Sequence, residues 1–314
     1  MSGGEPLVSA IIPTYKRDRK LEQAIRTIKS QTYDNIEIIV VDDYPGSQLE
    51  KEIKTWGVDK YICHQENQGV SKSRNDGIDV SEGRFIAFLD DDDLWNEEKI
   101  QKQVSLSRKV DDSFGLIYTG IRTVTGNNKG KTVIPHVQGE SYQQLLTRNF
   151  LSTPSVMVKR ECFDQVGLFN TGLDFAEDWD MWLRIAEEYK IGGIQEPLVS
   201  VRMEDEDRAS LNWEKRYSSM KHILHSYEDD LRNYPPAAGR RHRLFAVACA
   251  ETGRYNESIE HLILSLHYAK NPLALMYLVI IFVNTNILHN VLQLRSKVIT
   301  SGFKDGLIKW WKDL

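Results

Sequence analysis

The chain has 314 residues, enough for one large domain or two of medium size. Its 45 acidic residues against 40 basic ones leave a formal charge of -5, which excludes a general nucleic-acid binder with a basic surface. Three cysteines, Cys63, Cys162 and Cys249, are odd in number and far apart, which excludes a disulfide framework or a cysteine-based metal motif and favours a reducing cytoplasm.

The opening MSGGEPLVSAIIP lacks the basic start and long apolar core of a signal peptide. VSAIIP (Val8 to Pro13) reads as a buried strand, followed by a helix with Leu21, Ala24, Ile25 and Ile28 on one face. IEIIVVD (Ile36 to Asp42), KYICH (Lys60 to His64) and FIAFLD (Phe85 to Asp90) read as further strands, with helices around Leu49 to Trp56 and Val70 to Val80 between them. Continuous apolar strands alternating with helices predict a mostly parallel α/β sheet covered on both faces. In such sheets ligands sit beyond the carboxyl ends of the strands. Those ends read PTYKR, DDYPG, HQENQG and DDDDLW, so hydroxyls, cations and many carboxylates converge on one rim.

Further on, GLIYTG and KTVIP read as strands around the turn GNNKGK, and TPSVMVKR as another. FAEDWDMWLRIAEEY predicts a helix with Trp182, Ile185, Ala186 and Tyr189 on one side, and PLVSVR a short strand after it. From about Asn212 onward the pattern turns helical, dividing the chain into 1–212 and 213–314. RLFAVACAETGRYNESIEHLILSLHYAKNP resembles one tetratricopeptide-type hairpin, with Gly253 and Tyr255 at its turn, Pro272 closing it, and Ile259, Leu262, Ile263 and Leu266 at helical spacing. The longest apolar run, LALMYLVIIFV, is well short of the roughly 20 residues that span a bilayer. The tail beyond it carries Lys304, Lys309, Trp310, Trp311 and Lys312, a composition suited either to a helix lying on a membrane surface or to packing on the hairpin.

Four consecutive aspartates, Asp90 to Asp93, repel and raise one another's pKa unless a cation or a donor compensates. Carboxylate oxygens suit magnesium or manganese, and Asp90 and Asp92 would bridge such an ion to a diphosphate. Asp93 is placed to cap a helix beginning near Asn96. A calcium-hand loop would need a glycine at its sixth position, and a haloacid-dehalogenase motif would open its sheet instead of following three strands. Asp42 at its strand end reads as a nucleotide contact or as part of a turn. Arg74 would face a diphosphate or balance the acidic cluster. Glu177, Asp178 and Asp180 open a helix, where a carboxylate serves as a general base or only as a dipole partner.

Taken in order, PTYKR, VVDD, FLDDDDLW and EDWDMWLRI resemble the family-two glycosyltransferases of the GT-A fold, over about Leu7 to Arg202. The resemblance implies a nucleotide-diphosphate-sugar donor, with a UDP-sugar as the leading case, a divalent Mn2+ or Mg2+ ion, and inverting transfer to a glycan, lipid-linked or protein acceptor. It implies that Asp42 contacts the base while Pro13, Thr14, Tyr15 and Arg17 line the nucleotide pocket. Asp90 and Asp91 would face the ribose and diphosphate, Asp92 would hold the metal, and Asp178, beside Glu177, would be the base. Arg74 and Arg202 complete the expected donor site. Family members often carry a histidine after the last strand; here MEDEDRAS follows Arg202, leaving Glu204 or Asp205 as substitutes or a solvated acidic loop. The competing expectations are a sugar nucleotidyltransferase, for which PTYKR lacks a glycine-rich phosphate loop, and a non-catalytic nucleotide-binding scaffold. A cytoplasmic protein is expected, with peripheral membrane contact through the tail as an added possibility.

Overall fold

The structure is a computed structural model that describes residues 4–124, 130–203 and 212–283. In chain order its elements are β1 (Val8–Thr14), α1 (Asp18–Lys29), β2 (Ile36–Asp42), α2 (Glu50–Trp56), β3 (Lys60–Cys63), α3 (Val70–Val80) and β4 (Phe85–Phe88). They continue with β5 (Leu94–Trp95), α4 (Lys99–Ser107), β6 (Phe114–Val124), β7 (Thr132–Val133), α5 (Tyr142–Thr147) and, after a 3-10 turn at Thr153–Ser155, β8 (Val156–Lys159). Next come α6 (Arg160–Val166), α7 (Glu177–Glu188) and β9 (Lys190–Arg202). Helices α8 (Trp213–Ser226), α9 (Glu228–Asn233), α10 (Pro235–Glu251), α11 (Tyr255–Ala269) and α12 (Pro272–Val283) follow. The described residues form two compact units, 4–145 with 149–203 and 146–148 with 212–283.

One sheet holds the first unit, in the order β3-β2-β1-β4-β8-β6-β9-β5 with β7 beside β6. Every residue of β1 is buried, as its unbroken apolar run requires of a strand covered on both faces. The parallel register pairs Thr14 with Asp42 and Asp42 with Cys63, so the carboxyl ends of β1, β2 and β3 stand level. Leu21, Ala24, Ile25 and Ile28 of α1 are all buried, and they join Val8, Ala10, Ile12, Val40, Ile100 and Val104 in one apolar cluster.

Beyond β4 the sheet is mixed, where a mostly parallel one was expected. β8 runs antiparallel to both β4 and β6. Ala87, near the end of β4, pairs with Met157, near the start of β8. The chain therefore enters β8 from the rim, which places the 3-10 turn there. β4 stops at Phe88, two residues earlier than read, and leaves the aspartates in a turn. PLVSVR is the end of a strand that begins at Lys190, and KTVIP contributes only Thr132–Val133. The two-residue strand β5 pairs with β9, Leu94 opposite Ser200.

In the second unit α10 and α11 form the expected hairpin, with Gly253 at φ +76° in the turn. They lie so close that a Cβ on Gly239 would stand 2.3 Å from that of Ala269. The Ser265 hydroxyl donates to the Gly239 carbonyl at 2.6 Å across this contact. Leu262 is buried, with Ile259 and Leu266 packed against the same cluster, but Ile263 is 56% exposed, one step off that face. Pro272 starts α12 instead of merely ending the hairpin. Among the described residues no helix is long and apolar enough to cross a membrane. The acidic pair Glu204 and Asp205 and the tail residues Lys304, Lys309, Trp310, Trp311 and Lys312 lie outside the described residues.

Candidate active site

Every aspartate of the run is partnered, Asp91 and Asp92 through one shared arginine. The Asp93 N–H donates to the Asp90 carbonyl at 3.0 Å, closing a turn that fans the four side chains apart. Asp91 is buried and accepts from Thr14 Oγ1 at 2.8 Å and from Arg17 Nη1 at 3.0 Å. The same Arg17 nitrogen lies 3.0 Å from Asp92 Oδ2. Asp90 Oδ1 accepts from Arg74 Nη2 at 3.0 Å. Two guanidinium groups thus compensate three of the four charges. Asp93 accepts from the Arg202 backbone N–H at 3.0 Å, and so anchors the end of β9 instead of capping a helix. Helix α4 begins later, at Lys99, where Asn96 Oδ1 accepts from the Glu98 N–H.

Burial pushes the Asp91 carboxyl up to about 6, against the pull of Thr14 and Arg17. Asp92 is raised too, by burial first and then by the charge of Asp90, while Arg17 opposes both. Arg202 is half-buried, and its Nη2 donates to Gln23 Oε1 at 2.7 Å.

On the neighbouring strands, Pro13 is buried within β1, and Tyr15 projects with its ring edge-on to Tyr44, centroids 5.7 Å apart. Lys16 adopts φ +57° and lays its ammonium 4.5 Å from the centre of the Tyr44 ring. Asp42 is only 1% exposed; it accepts from the Tyr44 N–H and the Tyr61 hydroxyl, both at 3.0 Å. Its carboxylate belongs to this tyrosine pair and not to the Arg17 network. Asp43 accepts from the Gln68 and Gly69 N–H groups at 2.7 and 2.8 Å and fixes the start of α3. A cavity of about 590 Å³, lined by Cys63, His64, Gln65, Glu66 and Gln68, opens beyond β3.

Arg74 is buried on α3 and reaches both sides of the rim, since its Nη1 donates to Glu177 Oε1 at 2.8 Å. Burial alone would lower its pKa, but Asp90 and Glu177 raise it above the ordinary value. The next residue, Asn75, exchanges two hydrogen bonds of 2.9 Å with the Phe169 backbone, which holds the loop leading into α7. Ala176, just before that helix, sits at φ +59°, a left-handed conformation that costs a non-glycine residue energy and is common at functional sites.

Asp178, half-buried in the first turn of α7, accepts from Asn149 Nδ2 at 3.2 Å and Thr153 Oγ1 at 3.4 Å on Oδ2, and from the Trp179 N–H at 2.6 Å on Oδ1. Burial, then the charge of Glu177, push its carboxyl up to about 7, with Arg74 pulling the other way. Asp180 pairs with Arg184 at 2.9 Å, and that arginine also binds the Val166 and Leu168 carbonyls. Asp180 is therefore part of the scaffold. No local pattern marks Asn149 or Thr153, because their contact with Asp178 depends on how β8 enters the sheet.

Among the described residues no group of three or more His, Cys, Asp or Glu side chains could hold a metal ion alone. The donor chemistry nonetheless fits one: Asp90 and Asp92 offer hard oxygens, their side chains are 33% and 17% exposed, and the charge of Asp90 raises the Asp92 pKa. An ion held by one or two such carboxylates and completed by substrate phosphates suits this set.

A parallel nucleotide-type sheet with aspartates at its rim, continued by a mixed half and faced by a second carboxylate site at the start of α7, defines a GT-A glycosyltransferase fold. Solved structures agree. Staphylococcus aureus TarS 1–349 in complex with UDP-GlcNAc matches with a TM-score of 0.63 at 16% identity, covering 82% of this chain and 81% of that one. A Pyrobaculum calidifontis mannosyltransferase in complex with GDP-Man and Mn2+ matches with a TM-score of 0.56 at 16% identity, covering 87% and 79%.

Residues 9–167 match the sequence profile of Glycosyl transferase family 2, and the chain belongs to that family. It is 29% identical over 191 residues to the Escherichia coli UDP-Glc:alpha-D-GlcNAc-diphosphoundecaprenol beta-1,3-glucosyltransferase WfgD, covering 60% of this chain and 73% of that protein. It is 25% identical over 219 residues to the putative teichuronic acid biosynthesis glycosyltransferase TuaG of Bacillus subtilis, covering 68% and 85%. A glycosyltransferase of Rickettsia felis, uncharacterized, is 29% identical across 64% of this chain, but the match spans only 35% of that protein's length.

Proposed function

We propose that this protein is an inverting, divalent-metal-dependent glycosyltransferase. It would move a sugar from a nucleotide-diphosphate-sugar to an acceptor hydroxyl during assembly of a cell-envelope polysaccharide or another glycan. Family membership speaks against the nucleotidyltransferase reading. The observation that carries the proposal is the Arg74 bridge, which ties a donor-side carboxylate, Asp90, to Glu177, the residue before a carboxylate poised near neutrality.

In this reading Thr14, Tyr15, Arg17 and Asp42 shape the nucleotide end, with Pro13 behind them, and Asp91 orients Arg17. Asp92, with Asp90, would hold Mn2+ or Mg2+. When bound, the ion offsets charge on the departing diphosphate as a Lewis acid. Asp178 accepts the proton of the acceptor hydroxyl as that oxygen bonds to the anomeric carbon. The bond from that carbon to the diphosphate oxygen breaks on the opposite face, and its electron pair leaves with the nucleoside diphosphate. Attack opposite the leaving group inverts the anomeric centre, and positive charge builds on the ring as it does in glycoside hydrolysis. Arg202 closes the donor side through its link to Asp93.

The donor is proposed to be a UDP-sugar, supported by the UDP-GlcNAc bound to TarS and by the UDP-Glc in the name of WfgD. WfgD's diphosphoundecaprenol substrate supports a lipid-linked acceptor and, with it, work at the cytoplasmic face of a membrane. The division into a catalytic region, 1–212, and a helical region, 213–314, is part of the same proposal.

A thermal-shift screen of UDP-Glc, UDP-GlcNAc and GDP-Man, with and without Mn2+, tests it. One donor class should raise the melting temperature only with the ion, and Asp92→Ala should abolish that rise. Stabilisation by every nucleotide alike without turnover would favour a nucleotide-binding scaffold.

A further inference from the structure

The residues that hold Asp178 are themselves held by an unusual buried row. Asn149 does not offer its amide at random: its Oδ1 accepts from the Leu151 N–H at 3.1 Å, which turns Nδ2 toward Asp178. Thr153 is buried at the head of the 3-10 turn, where the Ser155 N–H donates to the Ser152 carbonyl at 2.8 Å. Three successive carbonyls behind it accept from three side chains. Trp95 Nε1 binds Pro154 O at 2.9 Å, Gln103 Nε2 binds Ser155 O at 3.0 Å, and Lys99 Nζ binds Val156 O at 3.4 Å. Lys99 and Gln103 are fully buried and joined to each other at 2.8 Å. Burying a lysine and a glutamine to grip backbone is costly unless every polar atom finds a partner. Here three of the partners lie on the segment that reaches Asp178, and Gln103 Nε2 also binds the Ile117 carbonyl of β6 at 2.8 Å, which ties that segment to the sheet.

We propose that Asn149 and Thr153 are positioning residues for the Asp178 carboxylate, with Trp95, Lys99 and Gln103 clamping their segment to the sheet. This rests on the reading of Asp178 as the base. With Oδ1 tied to the helix backbone, two neutral donors on Oδ2 fix the plane of the carboxylate. They also favour its anionic form without adding a charge that would compete with the substrate. The charged groups acting on Asp178 are Glu177 on its own helix and Arg74 on α3. The segment from Asn149 to Thr153 therefore tunes the base by neutral contacts alone.

The test compares Asn149→Ala, Thr153→Val and Thr153→Ser with wild type and with Asp178→Asn. UDP release from UDP-Glc and UDP-GlcNAc is followed with Mn2+ present. Asn149→Ala and Thr153→Val should each lower kcat about 10- to 100-fold while KM for the nucleotide sugar stays within about twofold. Thr153→Ser, which keeps the hydroxyl, should recover most of the loss. In the free proteins, titration of ¹³C-labelled aspartate, with the Asp178 signal assigned by its loss in Asp178→Asn, should show Asp178 titrating about half to one pH unit higher in Thr153→Val. Unchanged kcat and an unchanged titration in folded Asn149→Ala and Thr153→Val overturn the inference while leaving the base intact. Full activity of Asp178→Asn removes the base itself, and the inference with it. The titration decides the positioning role even if neither sugar nucleotide is turned over.

Discussion

Arg74 Nη1 meets Glu177 Oε1 at 2.8 Å although the two residues are 103 positions apart in the chain. Through its other terminal nitrogen the same guanidinium holds Asp90 at 3.0 Å, so one planar group spans both halves of the site. A forked donor does this where a point charge does not. Arg74→Met should therefore cost about 3–5 kcal/mol of stability, because it strands Asp90 on one side and Glu177, beside Asp178, on the other. Arg74→Lys should keep part of that stability yet lose at least about tenfold in turnover. Urea unfolding and UDP-release kinetics on the two variants check this. Wild-type turnover in Arg74→Lys would show that the fork is dispensable.

The pH dependence follows from Asp178. Its carboxyl is pushed up to about 7 by burial and Glu177, and a base works only when ionised. The log of kcat/KM should thus rise with unit slope on the acid side and level off above about 7. Arg74→Met removes the cation that opposes the shift, so the bend should move to higher pH in whatever activity remains. A flat profile from pH 5.5 to 8 would rule Asp178 out as the titrating group.

Much of this arrangement is legible in the residues themselves. The strands β1 to β4 announce themselves because apolar runs covered on both faces leave no room for alternation, and α1 shows its buried face at three- and four-residue spacing. The rim was equally readable, since polar residues at four successive strand ends need a common reason. What eluded the pattern was the use of each carboxylate. Asp93 before a helix looks like a cap, yet it binds the backbone of Arg202, 109 residues on. Asp42 reads as a ligand at its strand end, and the fold adds a donor to each of its oxygens, the Tyr44 N–H and the Tyr61 hydroxyl. Such choices are made by strands that meet only after folding, and β5, two residues long, has no periodicity to betray it.

Lys99 offers a second pH experiment, on stability. Burial lowers its pKa well below the ordinary lysine value, so the folded chain gives up this proton at a lower pH than the unfolded chain, which holds it up to about 10.4. Where the folded chain has lost that proton and the unfolded chain keeps it, each pH unit toward 10 should add about 1.4 kcal/mol to the unfolding free energy. Lys99→Met removes that slope, and at neutral pH it leaves Gln103 Oε1 without its 2.8 Å donor. Comparing urea unfolding of the two proteins between pH 7 and 9.5 isolates the term. Parallel curves would mean that Lys99 stays charged over the Trp95 ring, 4.1 Å from its centre.

The helical unit should be acid-sensitive for a related reason. His242 Nδ1 and His261 Nδ1 face each other at 2.8 Å, a hydrogen bond that needs one proton between them and is broken by a second. Tyr268 stacks on His242, while Phe245 meets His261 edge-on. Burial and the His261 charge lower His242 to about 4. His261 is lowered as well, by burial first and against the pull of Glu260 and Glu257. Both rings thus resist protonation in the fold more than free imidazoles, which take up protons below about 6.5. The stability they allow is complete above that value and is lost as pH falls toward 4. Because the rings keep some contact with solvent, the loss between pH 7 and 5 should be about 1–2 kcal/mol, less than the full shift would give. His242→Gln still donates a neutral hydrogen bond but cannot charge, so the drop between the two pH values should shrink to the part that His261 alone contributes. An equal drop in the variant would place the sensitivity elsewhere, and not on the raised carboxyls of the sheet unit, whose protonation stabilises the fold as pH falls.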